Sequence, residues 1–106
     1  DWRTVPNAGS FFHNPIVERS VADQIEGGPR FAQPDGRVKL SAAWLIDACG
    51  LKGARDGCAG IYDRHALIVV NHGGATHRDI ERISQRVKSE VQEKFGVALT
   101  QEPIIL

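Results

Sequence analysis

The spacing of apolar residues changes along the chain, and each change marks a structural element. Ile80, Ile83, Val87, Val91 and Phe95 recur every three or four positions, which puts them on one side of a 3.6-residue helix. Thr76 precedes this stripe with Asp79 three residues on, the spacing of a capping box, and Gly96 closes it. Ala42, Ala43, Trp44, Leu45, Ile46 and Ala48 predict a second helix, so uniformly apolar that it must be buried. Ser41 is placed to cap it, Leu40 to staple its entry, and Gly50 to adopt the left-handed C′ conformation that ends it.

Shorter apolar runs predict strands. Gly9 to Val17 reads as an extended segment broken at Asn14-Pro15, an edge strand or strand end. Ser20 is placed to cap one or two helical turns reaching Ile25, which Gly27-Gly28-Pro29 stops. Phe31 leads a short strand into a Pro34-Asp35-Gly36 turn. Cys58 to Tyr62 and Ala66 to Asn71 predict a hairpin across Asp63-Arg64-His65, and Val97 to Leu106 a final strand. This order predicts an α+β class, with helices packed on one face of a small, largely antiparallel sheet. A length of 106 residues suits one domain.

Thirteen basic residues balance thirteen acidic ones without clustering, which argues against nucleic-acid binding through counterion release. No apolar run approaches the roughly 20 residues needed to span a bilayer, and no signal peptide is visible. Cys49 and Cys58 form no CxxC pair, and His13, His65, His72 and His77 share no short ligand spacing, so no metal site is expected. Cys49, in an apolar helix, reads as a buried thiol. The chain starts at Asp1 and contains no methionine, and is expected to be part of a longer polypeptide.

Three segments carry polar groups amid apolar ones. In Asn7-Ala8-Gly9-Ser10-Phe11-Phe12-His13-Asn14-Pro15, a hydroxyl, an imidazole and an amide flank two aromatics. The segment is either a Gly-Ser turn before a core strand or a water-excluding wall around Ser10. No GxSxG elbow surrounds Ser10, so any chemistry there is proton donation rather than nucleophilic attack. Lys52 follows the buried helix between glycines, where it serves either the helix dipole or a phosphate. Glu102 interrupts an apolar strand, either as a solvated carboxylate or as one aimed at a reacting group.

Four blocks add a resemblance to these readings: NAGSFFHNPIV, QPDGRVKLSAAWLIDACGLKG, HALIVVNHGGAT and VQEKFGVALTQEPIIL. In order and spacing they resemble the carboxy-terminal, substrate-binding domain of the UDP-N-acetylenolpyruvoylglucosamine reductase family. The resemblance implies an FAD-dependent, cytoplasmic bacterial enzyme of peptidoglycan precursor synthesis. It would reduce UDP-N-acetylglucosamine enolpyruvate to UDP-N-acetylmuramate with NADPH. It further implies that Ser10 is the proton donor and that Glu102 stabilises the enolate-like state. Asn14 and Lys52 would contact substrate, and so would His65, where relatives often carry glutamine or glutamate. The FAD domain would lie upstream in the same polypeptide, so the present chain alone is expected to bind no flavin and to be inactive. Pro103 and Ile104 stand where relatives usually have valine and arginine, and Pro103 removes a backbone donor beside Glu102. The other readings are a non-catalytic nucleotide-sugar binding module of the same fold and, last, a protein-interaction domain.

Overall fold

The computed structural model describes residues 3–4, 11–56, 58–61, 69–71, 74 and 76–101. Its elements are β1 (Arg3–Thr4), β2 (Ile16–Val17), α1 (Arg19–Asp23), β3 (Arg30–Ala32), β4 (Val38–Leu40) and α2 (Ala42–Ala48), followed by β5 (Arg55–Asp56), β6 (Ala59–Ile61), β7 (Val69–Asn71) and α3 (His77–Phe95). Every strand pairing is antiparallel, and the α+β class expected from the sequence holds. The strands divide between two sheets, ordered β1-β7-β6-β5 and β2-β4-β3. Helix α3 packs on β5 and β6 and against α2, while α1 lies on β4. One buried cluster joins both sheets, running from Phe11 and Phe12 through Leu45 and Ile46 to Val87 and Leu99.

Helix α3 forms as its periodicity predicts. Ile80, Ile83, Val87 and Val91 are fully buried, each worth about 1.5–3 kcal/mol relative to exposure. The exposed pair Arg86–Glu90 adds only about 0.2–0.5 kcal/mol, so the apolar stripe decides the helix. Phe95 is half-buried and meets Trp44 at 5.9 Å between ring centroids. Gly96 ends the helix at φ +70°.

Two local expectations need correction. Ser20 does not cap α1. The helix starts at Arg19, and its N-cap Glu18 makes no side-chain capping bond. The other end is fixed instead, by a residue outside the helix. The Arg30 guanidinium donates to the carbonyls of Ala22, Ile25 and Gly27 at 3.0, 2.7 and 3.0 Å. Of the expected final strand, residues 97–100 join no ladder among the described residues and Gln101 makes a bridge to Phe12, while residues 102–106 lie outside the described residues.

The tightest packing lies over Gly28, whose φ is +84°. A Cβ there would stand 2.7 Å from Trp44 Cδ2, closer than van der Waals contact permits. Gly28→Ala is therefore expected to lower stability by roughly 2 kcal/mol or more, combining backbone strain with overpacking. Urea denaturation measures the loss; an unchanged midpoint would show that Trp44 yields freely.

The capping box at α3 supplies a second test. Thr76 N–H donates to Asp79 Oδ2 at 3.0 Å, and Asp79 N–H donates to Thr76 Oγ1 at 3.2 Å. The first bond holds the Asp79 carboxyl below its ordinary value, helped by the charge of Arg82. A carboxyl depressed on folding stabilises above its unfolded pKa, and that contribution is lost as pH falls through the folded value. Asp79→Asn should therefore flatten the stability profile below about pH 4 while changing its slope little near neutrality, as read from urea midpoints across the acid range.

Candidate functional site

The loop after Phe12 is pinned on both sides. His13 N–H donates to Thr100 C=O at 2.9 Å, and Leu40 N–H donates to Pro15 C=O at 2.8 Å. Asn14 sits between these bonds. Its Oδ1 accepts the backbone N–H of Ala42, the first residue of α2, at 2.9 Å. Ser41 Oγ, as its position predicts, accepts from Trp44 N–H at 3.2 Å. The first turn of α2 thus has two side-chain acceptors, one local and one from 28 residues away. Asn14 remains exposed otherwise.

Lys52 stands beyond the opposite end of the same helix. Gly50, at φ +72°, takes the left-handed position expected of it. Gly50 N–H donates to Asp47 C=O and Leu51 N–H to Ile46 C=O, the pair of bonds that closes a Schellman motif. Leu51 is buried. The chain then turns at once: Ala54 N–H returns to Leu51 C=O at 2.9 Å, and Gly53 N–H reaches Ile61 C=O of β6 at 3.0 Å. Lys52 therefore projects to solvent from a rigid turn. Its Nζ lies 3.7 Å from Asp47 Oδ2, with both side chains more than one-third exposed. Seven helical residues separate the Asn14 contact from this turn, a rise of roughly 10 Å.

The two aromatics behind Asn14 form a dry wall. Phe11 and Phe12 are both buried and meet edge to face at 5.1 Å. The chain bends at Phe11, which lets the two neighbouring rings meet rather than point apart. Opposite it, Val97 and Leu99 are buried while Ala98 and Thr100 are exposed, a strand-like alternation. Gln101 continues the inward parity, bridges Phe12, and buries its Oε1 with no donor among the described residues. Sequence reasoning passed over Gln101; its parity with Val97 and Leu99 was the available signal.

Of the expected site residues, Asn14 and Lys52 are described and share α2 as their support. Ser10, Glu102 and His65 lie outside the described residues, as do Pro103 and Ile104. Among the described residues no group of His, Cys, Asp and Glu can hold a metal ion, and no helix is long and apolar enough to cross a membrane. Both cysteines are free thiols. Burial raises the Cys49 thiol above its ordinary value, with Glu90 adding to the shift. The residue is half-buried at the edge of the core rather than buried as its apolar setting suggested. On the outer face of the β2-β4-β3 sheet, exposed Ile16 and Phe31 both stand opposite Lys39, so the lysine interrupts what would otherwise be an apolar strip.

These elements define a small antiparallel α+β domain that presents polar loops at both ends of one short helix. Residues 1–106, the whole chain, match the family described as UDP-N-acetylenolpyruvoylglucosamine reductase, C-terminal domain, and the chain belongs to that family. It is 52% identical over 110 residues to the UDP-N-acetylenolpyruvoylglucosamine reductase of Dechloromonas aromatica, an alignment covering 100% of this chain and 33% of that protein. With the reductase of the same name from Chromobacterium violaceum it shares 53% over 104 residues, covering 94% of this chain and 30% of the relative. For the Burkholderia multivorans protein of that name the identity is 46%, covering 100% and 32%. The chain thus spans about a third of the length of these curated relatives.

An unsatisfied buried acceptor costs about 1–3 kcal/mol, and replacing it with an apolar group of similar shape relieves that penalty. Gln101→Met is accordingly expected to leave stability unchanged or raise it by about 1 kcal/mol, as thermal melting would show. A clear loss of stability would mean that Oε1 has a donor in solution, such as an ordered water.

Proposed function

We propose that this chain is the substrate-binding and proton-donating part of an FAD-dependent reductase. In this reading the full-length protein converts UDP-N-acetylglucosamine enolpyruvate to UDP-N-acetylmuramate in the bacterial cytoplasm, with NADPH as reductant, for peptidoglycan synthesis. Membership of the reductase's C-terminal domain family over residues 1–106 carries the proposal. The relatives' names do not favour a non-catalytic module of the same fold.

The described residues offer no cradle for a flavin. One groove of about 410 Å³ between α2 and α3 is lined by Ala48, Cys49, Glu90, Glu93 and Lys94, where two carboxylates oppose a diphosphate. Another of about 310 Å³ lies along one face of α3 at Arg78, Glu81, Arg82 and Gln85, with no second element to enclose an isoalloxazine ring. We therefore assign FAD to the remaining two-thirds of the protein's length. The bound flavin would supply the hydride.

This chain's own part is the proton. Hydride addition to one vinyl carbon leaves carbanion or enolate character on its neighbour, and a positioned hydroxyl can protonate it. We assign that donation to Ser10 Oγ and the support of the enolate-like charge to Glu102. The buried Phe11-Phe12 pair next to Ser10 would limit proton exchange with water. Asn14, Lys52 and His65 would contact substrate, Lys52 at the diphosphate.

The test is Ser10→Ala in the full-length protein, with the flavin followed anaerobically by stopped flow. Reduction by NADPH is expected at the wild-type rate. Reoxidation by the enolpyruvyl substrate is expected to slow by roughly 10²–10⁴-fold, the range of general acid catalysis. Wild-type rates in both halves would make Ser10 a turn residue and overturn its assignment.

A further inference from the structure

We propose that Asn14 is a two-sided residue. Its oxygen is committed to the first turn of α2, so it can offer a ligand only its amide hydrogens and accepts only an oxygen acceptor there. The proposal rests on the reading of Asn14 as a substrate contact and adds its polarity and its mechanical link to α2.

The argument starts from the donor. A backbone N–H can only donate, so the side-chain atom 2.9 Å from Ala42 N must be the carbonyl oxygen. The carboxamide is planar, so Nδ2 points along the other arm. Turning the amide over to present its oxygen to a ligand would set NH₂ against N–H, two donors face to face. It would also strip the first N–H of α2 of its acceptor. Ser41 Oγ cannot replace it, being engaged with Trp44 N–H at 3.2 Å. The fold therefore fixes the orientation of Asn14 before any ligand arrives. The flanking bonds at His13 and Pro15 hold its backbone as well.

Specificity and coupling both follow. Nδ2 has no acceptor among the described residues, and the residue is exposed. A phosphate, carboxylate or carbonyl oxygen satisfies it; a ligand N–H does not. Beyond the other end of α2, Lys52 also offers only donors. One short helix thus has a donor-only group at each end, Asn14 held in place and Lys52 on a rigid backbone turn, a pattern suited to an anionic, oxygen-rich ligand. A ligand oxygen at Nδ2 polarises the same amide that caps α2, strengthening the cap it borrows. Asn14 is in this sense a positioning residue as well as a contact.

Asn14→Asp and Asn14→Ala in the full-length protein separate the two sides. An aspartate keeps an oxygen for Ala42 N–H and places negative charge at a helix N-terminus, which is favourable; it removes the donor. Asn14→Asp is therefore expected to melt at or above the wild-type temperature. Its KM for the enolpyruvyl UDP-sugar should rise about tenfold or more, with a smaller change in kcat. Asn14→Ala should lose both stability and affinity. If Asn14→Asp melts as low as Asn14→Ala, the cap is not what the oxygen supplies and the proposal falls, while the contact reading survives. If Asn14→Asp keeps both the wild-type melting temperature and KM, the donor side falls and with it the contact reading, while the cap stands.

Discussion

Helix α2 is short and buries Ala42, Leu45 and Ile46 while Asp47 and Ala48 stay exposed, and its ends are satisfied largely by residues outside it. Seven residues leave most of a helix's terminal N–H and C=O groups without internal partners, and where the helix is buried water cannot satisfy them. Burying Leu45 and Ile46 contributes about 1.5–3 kcal/mol each, while each orphaned buried group costs about 1–3 kcal/mol. The two are of the same size, so the caps decide whether this helix can sit where it does. Asn14 and Ser41 serve one end, and the Gly50–Leu51 motif serves the other. Through those caps α2 fixes the loop after Phe12, the entry from β4 and the turn that carries Lys52. Through Trp44 it also holds Gly28 and Phe95.

A second constraint runs across the core rather than along it. Phe11 and Phe12 are both buried, and Gln101 bridges Phe12 with a buried carboxamide oxygen that no described residue satisfies. Stability alone does not favour such a group; an apolar side chain of similar shape would serve the core as well or better. The cost is local to the segment that meets Phe12.

What the sequence made legible was whatever depends on near neighbours. The α3 stripe, the Thr76–Asp79 box, the Ser41 cap and the Gly50 C′ position each follow from residues within a few places of one another, and each is present. The expected capping by Ser20 is not, because the constraint on α1 lies at its far end, where Arg30 gathers three carbonyls across a Gly-Gly loop. The division into two sheets was equally out of reach, since strands of two or three residues leave little periodicity to count. In the candidate site, the spacing of Asn14 and Lys52 along the chain says nothing of their sharing one helix. Their positions were suggested by a resemblance in wording; their common support emerges only from a hydrogen bond 28 residues long in sequence. Family membership, by contrast, was readable from the four blocks, because their combination is far more specific than any one turn or cap.

The same comparison of magnitudes bears on Lys52. Its pairing with Asp47 spans 3.7 Å between side chains that are both more than one-third exposed, and such pairs are worth about 0–1 kcal/mol. That is enough to bias the lysine's resting direction and too little to hold it there. The backbone beneath it is another matter: Gly50, Leu51, Gly53 and Ala54 are each tied by a backbone hydrogen bond. Lys52 is thus a mobile charge on a fixed stalk. In the proposed role at a phosphate this division would be efficient, because binding would cost only side-chain freedom and the competing carboxylate would release the lysine readily. Asn14 is the opposite case, a side chain fixed by the fold before the ligand comes. In the function proposed here, one end of α2 would set where the ligand sits and the other would close on its charge.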